Sequence, residues 1–284
     1  MLIAHAFNNI DFDTVLRFGS MRYIINPYPK QSRSTMNRYL KNLNRIEFIV
    51  TMACTGKCKH CSQGEHNSTD NIDKSLAADA VRRIAEEYPI SSVMTFGGEP
   101  LLFPETVCEI HKTAKELKIP QRQLITNGYF SKNTDKINLV AKQIIESGVN
   151  EILLSVDAFH QETIPLEYVL EFAKAVNTSD ISFKVQPAWL VSSDADNPYN
   201  SKTKEILAVF KHMGIETNQG NVIFPSGNAL KYLSEYFDMS QKSKSPYDED
   251  PADIRAICFS ADGGILGSNA YKKDIIKILS DYAP

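Results

Sequence analysis

The chain has 284 residues, 43% of them hydrophobic and 23% charged, with a net charge of −3. That length suits one large α/β domain or two small ones, and the charge gives no electrostatic case for nucleic acid or an anionic membrane. No apolar run approaches the roughly 20 residues of a membrane helix, and the start, MLIAHAFNNIDFD, lacks the basic end and apolar core of a signal peptide, so a cytoplasmic location with reduced thiols is expected.

Residues 1–44 follow no regular pattern and are read as an N-terminal extension; within them RYLKNLNR (38–45) reads as a solvated, mildly basic stretch. From residue 45 onward, strand-like and helix-like runs alternate. RIEFIVTM (45–52) is β-rich and apolar, and SLAADAVRRIAEEY (75–88) puts Leu76, Ala80, Val81, Ile84 and Tyr88 on one helical face. Strand 91–96 precedes helix 104–117, with Pro104 suited to a first turn. Strand 122–126 precedes helix 137–147, which Gly148 closes. The series continues with strand 151–156, helix 166–176, strand 182–189, helix 202–213, strand 221–224 and a last helix at 228–237. Six strand–helix units predict a parallel sheet. They are too few to close an eight-stranded barrel, so an open, partial (β/α)6 TIM-like barrel over 45–237 is expected, with ligands at the strand C-termini. Residues 238–284 read as a polar linker, a hairpin over ICFSADGGILGSN (257–269) and a short helix, together a C-terminal cap.

The unusual polar stretches fall at the strand ends. Cys54, Cys58 and Cys61 follow the first strand, Gly97-Gly98-Glu99-Pro100 the second, and Thr126-Asn127-Gly128 the third. SVDAFHQE (155–162) ends the fourth and QPAW (186–189) the fifth. Five cysteines, three of them within eight residues, argue against a disulfide framework and for metal or redox chemistry. Thiolates select zinc, copper(I) or iron–sulfur. With His60 and His66 nearby, a Cys3His zinc site is open. So is a cubane held by three cysteines, which leaves one iron free to bind something else.

Cys54-Thr-Gly-Lys-Cys58-Lys-His-Cys61 resembles the CxxxCxxC signature of radical S-adenosylmethionine (SAM) enzymes, and the likeness extends over 45–225. The resemblance implies a [4Fe–4S] cluster on Cys54, Cys58 and Cys61. That cluster reductively cleaves SAM to methionine and a 5′-deoxyadenosyl radical, which takes hydrogen from a substrate. It implies SAM contacts from Gly97, Gly98, Glu99 and Pro100, with Glu99 accepting from the ammonium. Thr126 and Asn127 would lie near SAM, and Ser155 and Asp157 would reach its ribose or carboxylate. His60 occupies a position usually aromatic in the family and belongs with the cofactor-binding residues. A flavodoxin- or ferredoxin-like electron donor is implied as well.

The tail around Cys258 resembles part of the SPASM-type segment of radical SAM maturases but lacks the second cysteine, so an auxiliary cluster is not expected there. It still favours a peptide or protein substrate over a small metabolite. Rival readings are a glycyl-radical activating enzyme and, in another class, a non-catalytic iron–sulfur or zinc protein. His160 is by default a structural histidine, and as a catalytic candidate it would handle substrate or a proton. Cys108 and Trp189, the single tryptophan, read as core. YDEDPAD (247–253) reads as a solvated charge run.

Overall fold

The computed structural model describes residues 36–64, 68–178, 181–238, 240 and 248–284. Most of the expected 1–44 extension therefore lies outside the described residues, as do His66 and residues 239 and 241–247 of the expected 238–253 linker. The first described turn is a 3-10 helix, Arg38–Leu40, that buries Leu40 and is followed by buried Leu43. This departs from a solvated stretch, because two leucines outweigh the basic residues around them.

Five strands of five or six residues, β1 (Arg45–Ile49), β2 (Ser92–Phe96), β3 (Gln121–Thr126), β4 (Glu151–Ser155) and β5 (Ser182–Gln186), run parallel and adjacent in chain order. Between them lie α1 (Lys74–Glu87), α2 (Pro104–Glu116), α3 (Thr134–Ser147), the single turn α4 (Ala158–Gln161) and α5 (Leu166–Val176). Polar side chains start the helices as sequence rules expect: Asp73, Asn133 and Asp157 each accept from first-turn amides. One strand face packs on the helices. Ile46, Phe48, Leu124, Ile152, Leu154 and Val185 there are fully buried, and each such side chain contributes about 1.5–3 kcal/mol of burial free energy. Residues of the opposite parity, including Glu47, Met94, Ile125, Leu153 and Gln186, face an interior cavity. Side-chain alternation thus separates core from cavity.

The ends of the sheet differ from expectation. Pro187 stops β5, and the chain resumes as β6 (Ala188–Trp189). The sixth main strand is not 221–224 but β7 (Glu216–Thr217), which follows α6 (Pro198–His212) and pairs with β5 through Lys184 and Val185. Asn221–Val222, β8, pairs instead with β6 in a separate two-stranded ribbon. The last expected helix is reduced to α7 (Gly227–Tyr232) and a 3-10 turn over Ser234–Tyr236.

The tail is not a hairpin from residue 257. Ala256–Phe259 forms β9, a seventh parallel strand beside β1, in the order β7-β5-β4-β3-β2-β1-β9. Ile257 and Phe259 enter the helix-side core, where Phe259 stacks on Phe48 with ring centroids 5.0 Å apart. Only β10 (Gly264–Ile265) and β11 (Ser268–Asn269) make the hairpin, and α8 (Ile275–Asp281) closes the chain. The sheet is open and all-parallel, the partial-barrel arrangement expected, with one strand supplied by the tail. Among the described residues, no helix is long and apolar enough to cross a membrane.

Candidate active site

The C-terminal ends of β1 to β5 open into a cavity of about 830 Å³. Cys54, Cys58 and Cys61 line it together with His60, Gly97, Gly98, Thr126, Asn127, Ser155, Asp157, His160 and Gln186. The structure therefore gathers these sequence-predicted residues around one space, while Glu99 and Pro100 stand behind its wall.

The cysteine loop is fastened from several directions. Thr55 donates to the Tyr129 carbonyl at 2.6 Å, the Lys57 amide donates to the Thr163 hydroxyl at 3.0 Å, and Lys59 pairs with Glu162 at 3.1 Å. The Asn127 amide reaches the Thr55 hydroxyl at 3.3 Å and the Cys54 sulfur at 3.6 Å. Burial pushes the Cys54 thiol up to about 11 and moves Cys58 and Cys61 upward too. Thiols bind metal as thiolates, so a metal's positive charge would be needed for these three to ionise.

Among the described residues, ligand atoms of His60, Asp157 and His160 all lie within 4.8 Å of one another. Three thiols in one loop fit a multinuclear cluster held by three cysteines.

The GGEP segment also ties the loops of the site together. The Gly98 amide donates to the Thr51 carbonyl and the Glu99 amide to the Ala53 carbonyl, both at 2.8 Å. These bonds lace the loop after β2 to the start of the cysteine loop. A Cβ on Gly98 would overlap the Ala53 carbonyl oxygen and lie 2.7 Å from its carbon. Glycine is required here for the approach of two protein loops.

Glu99 is 0% exposed. Its Oε1 accepts from the Leu101 amide at 2.9 Å and the Thr126 hydroxyl at 2.7 Å, and its Oε2 from the Asn127 amide at 2.8 Å. Burial outweighs these donors and pushes its carboxyl up to about 7. Glu99 thus braces the β2 and β3 loops from behind the cavity wall. Pro100 is buried at the start of a 3-10 turn.

Asp157 is held in the same manner. It too is 0% exposed, and its carboxylate caps α4 by accepting from the Phe159 and His160 amides. It takes the Ala188 amide at 3.0 Å and His160 Nδ1 at 2.8 Å as well. Burial alone would raise its carboxyl, but the neighbouring His160 and His60 hold it well below the usual carboxylate range. With four protein donors on its carboxylate, Asp157 orients His160. An ionised carboxylate only accepts, so His160 donates from Nδ1.

The ring of His160 meets that of His60 edge-on at 4.7 Å, and His60 also packs on Phe159 at 5.0 Å. His60 Nδ1 is enclosed without a hydrogen-bond partner, and burial lowers the ring to about 4, leaving it neutral. Of the other expectations, Trp189 is buried and donates from its indole to the Gln219 carbonyl, and Cys108 packs against the core. Cys258 faces the cavity from β9, and Asp248 and Glu249 of the acidic run reach its rim.

The sequence model of the Radical SAM superfamily matches residues 48–225. A probable GTP 3',8-cyclase of Methanocaldococcus jannaschii is 26% identical over 129 residues, 44% of this chain and 40% of that protein. The GTP 3',8-cyclase of Clostridium perfringens is 26% identical over 129 residues, covering 44% and 38%. The chain therefore spans about two fifths of the length of these curated relatives. Among solved structures, Streptococcus suis SuiB bound to S-adenosylmethionine aligns with a TM-score of 0.54 at 13% identity over 85% of this chain and 66% of that one. anSMEcpe with bound AdoMet gives 0.52 at 14% identity, over 84% and 80%. At these identities the likeness to solved structures is one of fold.

Proposed function

The chain belongs to the radical SAM superfamily, and from that premise we propose that it is a SAM-cleaving enzyme with one [4Fe–4S] cluster on Cys54, Cys58 and Cys61. The observation that carries this is the arrangement of the three thiols and the ends of four further strands around one cavity. A [4Fe–4S] cluster held by Cys54, Cys58 and Cys61 would supply the one-electron reduction that cleaves SAM to methionine and a 5′-deoxyadenosyl radical able to take hydrogen from a substrate. The chain's own residues position and enclose. Asn127 gives the Cys54 sulfur an amide donor, while Gly97, Gly98, Thr126 and Ser155 form the walls beside the thiols. Asp157 fixes His160 so that Nε2 is the nitrogen left to hold or pass a proton.

The substrate we infer carries no polyphosphate. Binding a triphosphate calls for arginine or lysine forks. Among the described residues lining the cavity, Arg45 is the one Lys or Arg side chain, and its Nε lies 2.6 Å from Glu47. Glu47, Asp248 and Glu249 add carboxylates to the same lining. The GTP named for the matched relatives is therefore disfavoured here, and a neutral or cationic group is favoured. A peptide side chain meets that description, as does an amine-bearing metabolite. The electron donor belongs to the same proposal, in the class of small low-potential flavin or iron–sulfur proteins.

The test is anaerobic reconstitution with iron and sulfide, then SAM and dithionite, with 5′-deoxyadenosine as readout. We expect it from the wild type and not from a Cys54→Ala/Cys58→Ala/Cys61→Ala protein. Zinc in place of iron after purification and reconstitution would overturn the reading. Adding GTP should leave the rate unchanged; a GTP-dependent rise with a GTP-derived product would reverse the substrate inference.

A further inference from the structure

The cysteine loop has another anchor, 170 residues away in sequence. The Asn228 backbone amide donates to the Cys61 carbonyl at 2.9 Å, and its side-chain Nδ2 donates to the Cys58 carbonyl at 3.2 Å. One buried residue thus satisfies the carbonyls of two of the three thiol-bearing positions. The adjacent Gly227, at φ +51°, approaches so closely that a Cβ would lie 2.5 Å from the Ser62 carbonyl oxygen, 2.7 Å from that of Cys61 and 2.7 Å from the Gly64 amide nitrogen. Two independent features, a paired donor and a glycine-only approach, seat the start of α7 on this loop.

Helix α7 is itself fixed. Ala229 and Leu233 pack with Phe159, Leu190 and Ile223 in a small core apart from the main one. Phe159 in turn carries the ring of His60, the residue just before Cys61. Short loops that bear metal ligands gain their geometry from such outer contacts.

We propose that Asn228 is a positioning residue for the metal-binding loop. It holds the backbone at Cys58 and Cys61 so that their thiols present one fixed geometry to the cluster, with Gly227 permitting the approach. The inference rests on the reading that these cysteines bind the cluster. It assigns no contact between Asn228 and substrate or SAM.

The test compares wild type, Asn228→Ala, Asn228→Asp and the triple-alanine control. Asp keeps the shape and the backbone donor but turns the side-chain donor into an acceptor facing the Cys58 carbonyl. Three readouts are taken: melting of the metal-free proteins, the rate of iron release to a chelator after anaerobic reconstitution, and the electron paramagnetic resonance spectrum of the reduced cluster. We expect both variants to keep a cooperative metal-free melt, lowered in Asn228→Asp because its carboxylate faces the buried Cys58 carbonyl, with iron release about 10–100-fold faster in both variants and a shifted spectrum. Should one variant lose its cooperative metal-free melt, the other carries the comparison. Should both lose it, Asn228 is a general fold contact and the proposal is overturned. Wild-type iron release and an unchanged spectrum in a well-folded Asn228→Asp would also overturn it while leaving the cluster assignment standing. No iron in the wild type would overturn both.

Discussion

Single side chains in this site are committed to one another before any ligand arrives. Glu99 illustrates the point: three donors converge on a carboxylate with no exposure. Glu99→Gln would face one of those donors with an amide group that cannot accept. We predict a loss of about 1–3 kcal/mol, read by denaturant unfolding; an unchanged midpoint would contradict the bracing role. His111 makes a pH prediction. It is fully buried, its Nε2 is 2.9 Å from the Thr95 hydroxyl, and burial first, then the charge of Arg122, lowers it to about 3. The unfolded ring, near 6.5, therefore binds a proton that the native one refuses in the window between those values. The His111 contribution to stability is complete above pH 6.5 and erodes as pH falls, by up to about 1.4 kcal/mol per unit. The stability gap between wild type and His111→Phe should be flat above pH 6.5 and narrow below it; a gap that does not change with pH would refute the account.

Among elements, β9 has the largest consequence. It covers the edge of β1, which would otherwise present unpaired amides and carbonyls, and it brings Phe259 onto Phe48. Phe259→Ala should cost about 3–5 kcal/mol, as aromatic deletions from a packed core do, measured by urea unfolding. A much smaller loss would mean that the strand is held by its backbone ladder alone. The alternating units from β1 to α5 were readable because each strand has one apolar parity and each helix one apolar face. Within 188–237 the helix at 202–213 was readable and is α6, but the short strands around it were not. Pro187 splits an apolar run into two strands that pair with different partners, and the two-residue strands β7 and β8 carry too little pattern to choose between them.

The assembled protein ties its cysteine loop to the loops after β2, β3 and α4 and to α7. Metal binding to that loop should therefore stabilise the folded chain as a unit, since the unfolded chain holds no preformed site. We predict that reconstitution with iron and sulfide raises the melting temperature of the wild type, that a chelator lowers it again, and that the triple-alanine protein responds to neither. Equal melting with and without metal would separate the loop from the fold.

From the order of residues alone, the family signature, the parallel α/β architecture and the neighbourhood of the site were legible. Motif spacing and side-chain periodicity are local properties, and parallel strands place their C-terminal loops together whatever follows. The duties of Glu99 and Asp157, the anchoring by Asn228 and the seventh strand were decided only in three dimensions. Whether a carboxylate meets a ligand or a backbone amide depends on which loop packs across it, and an asparagine at the start of a short helix looks the same in sequence whether or not a cysteine loop lies beneath it.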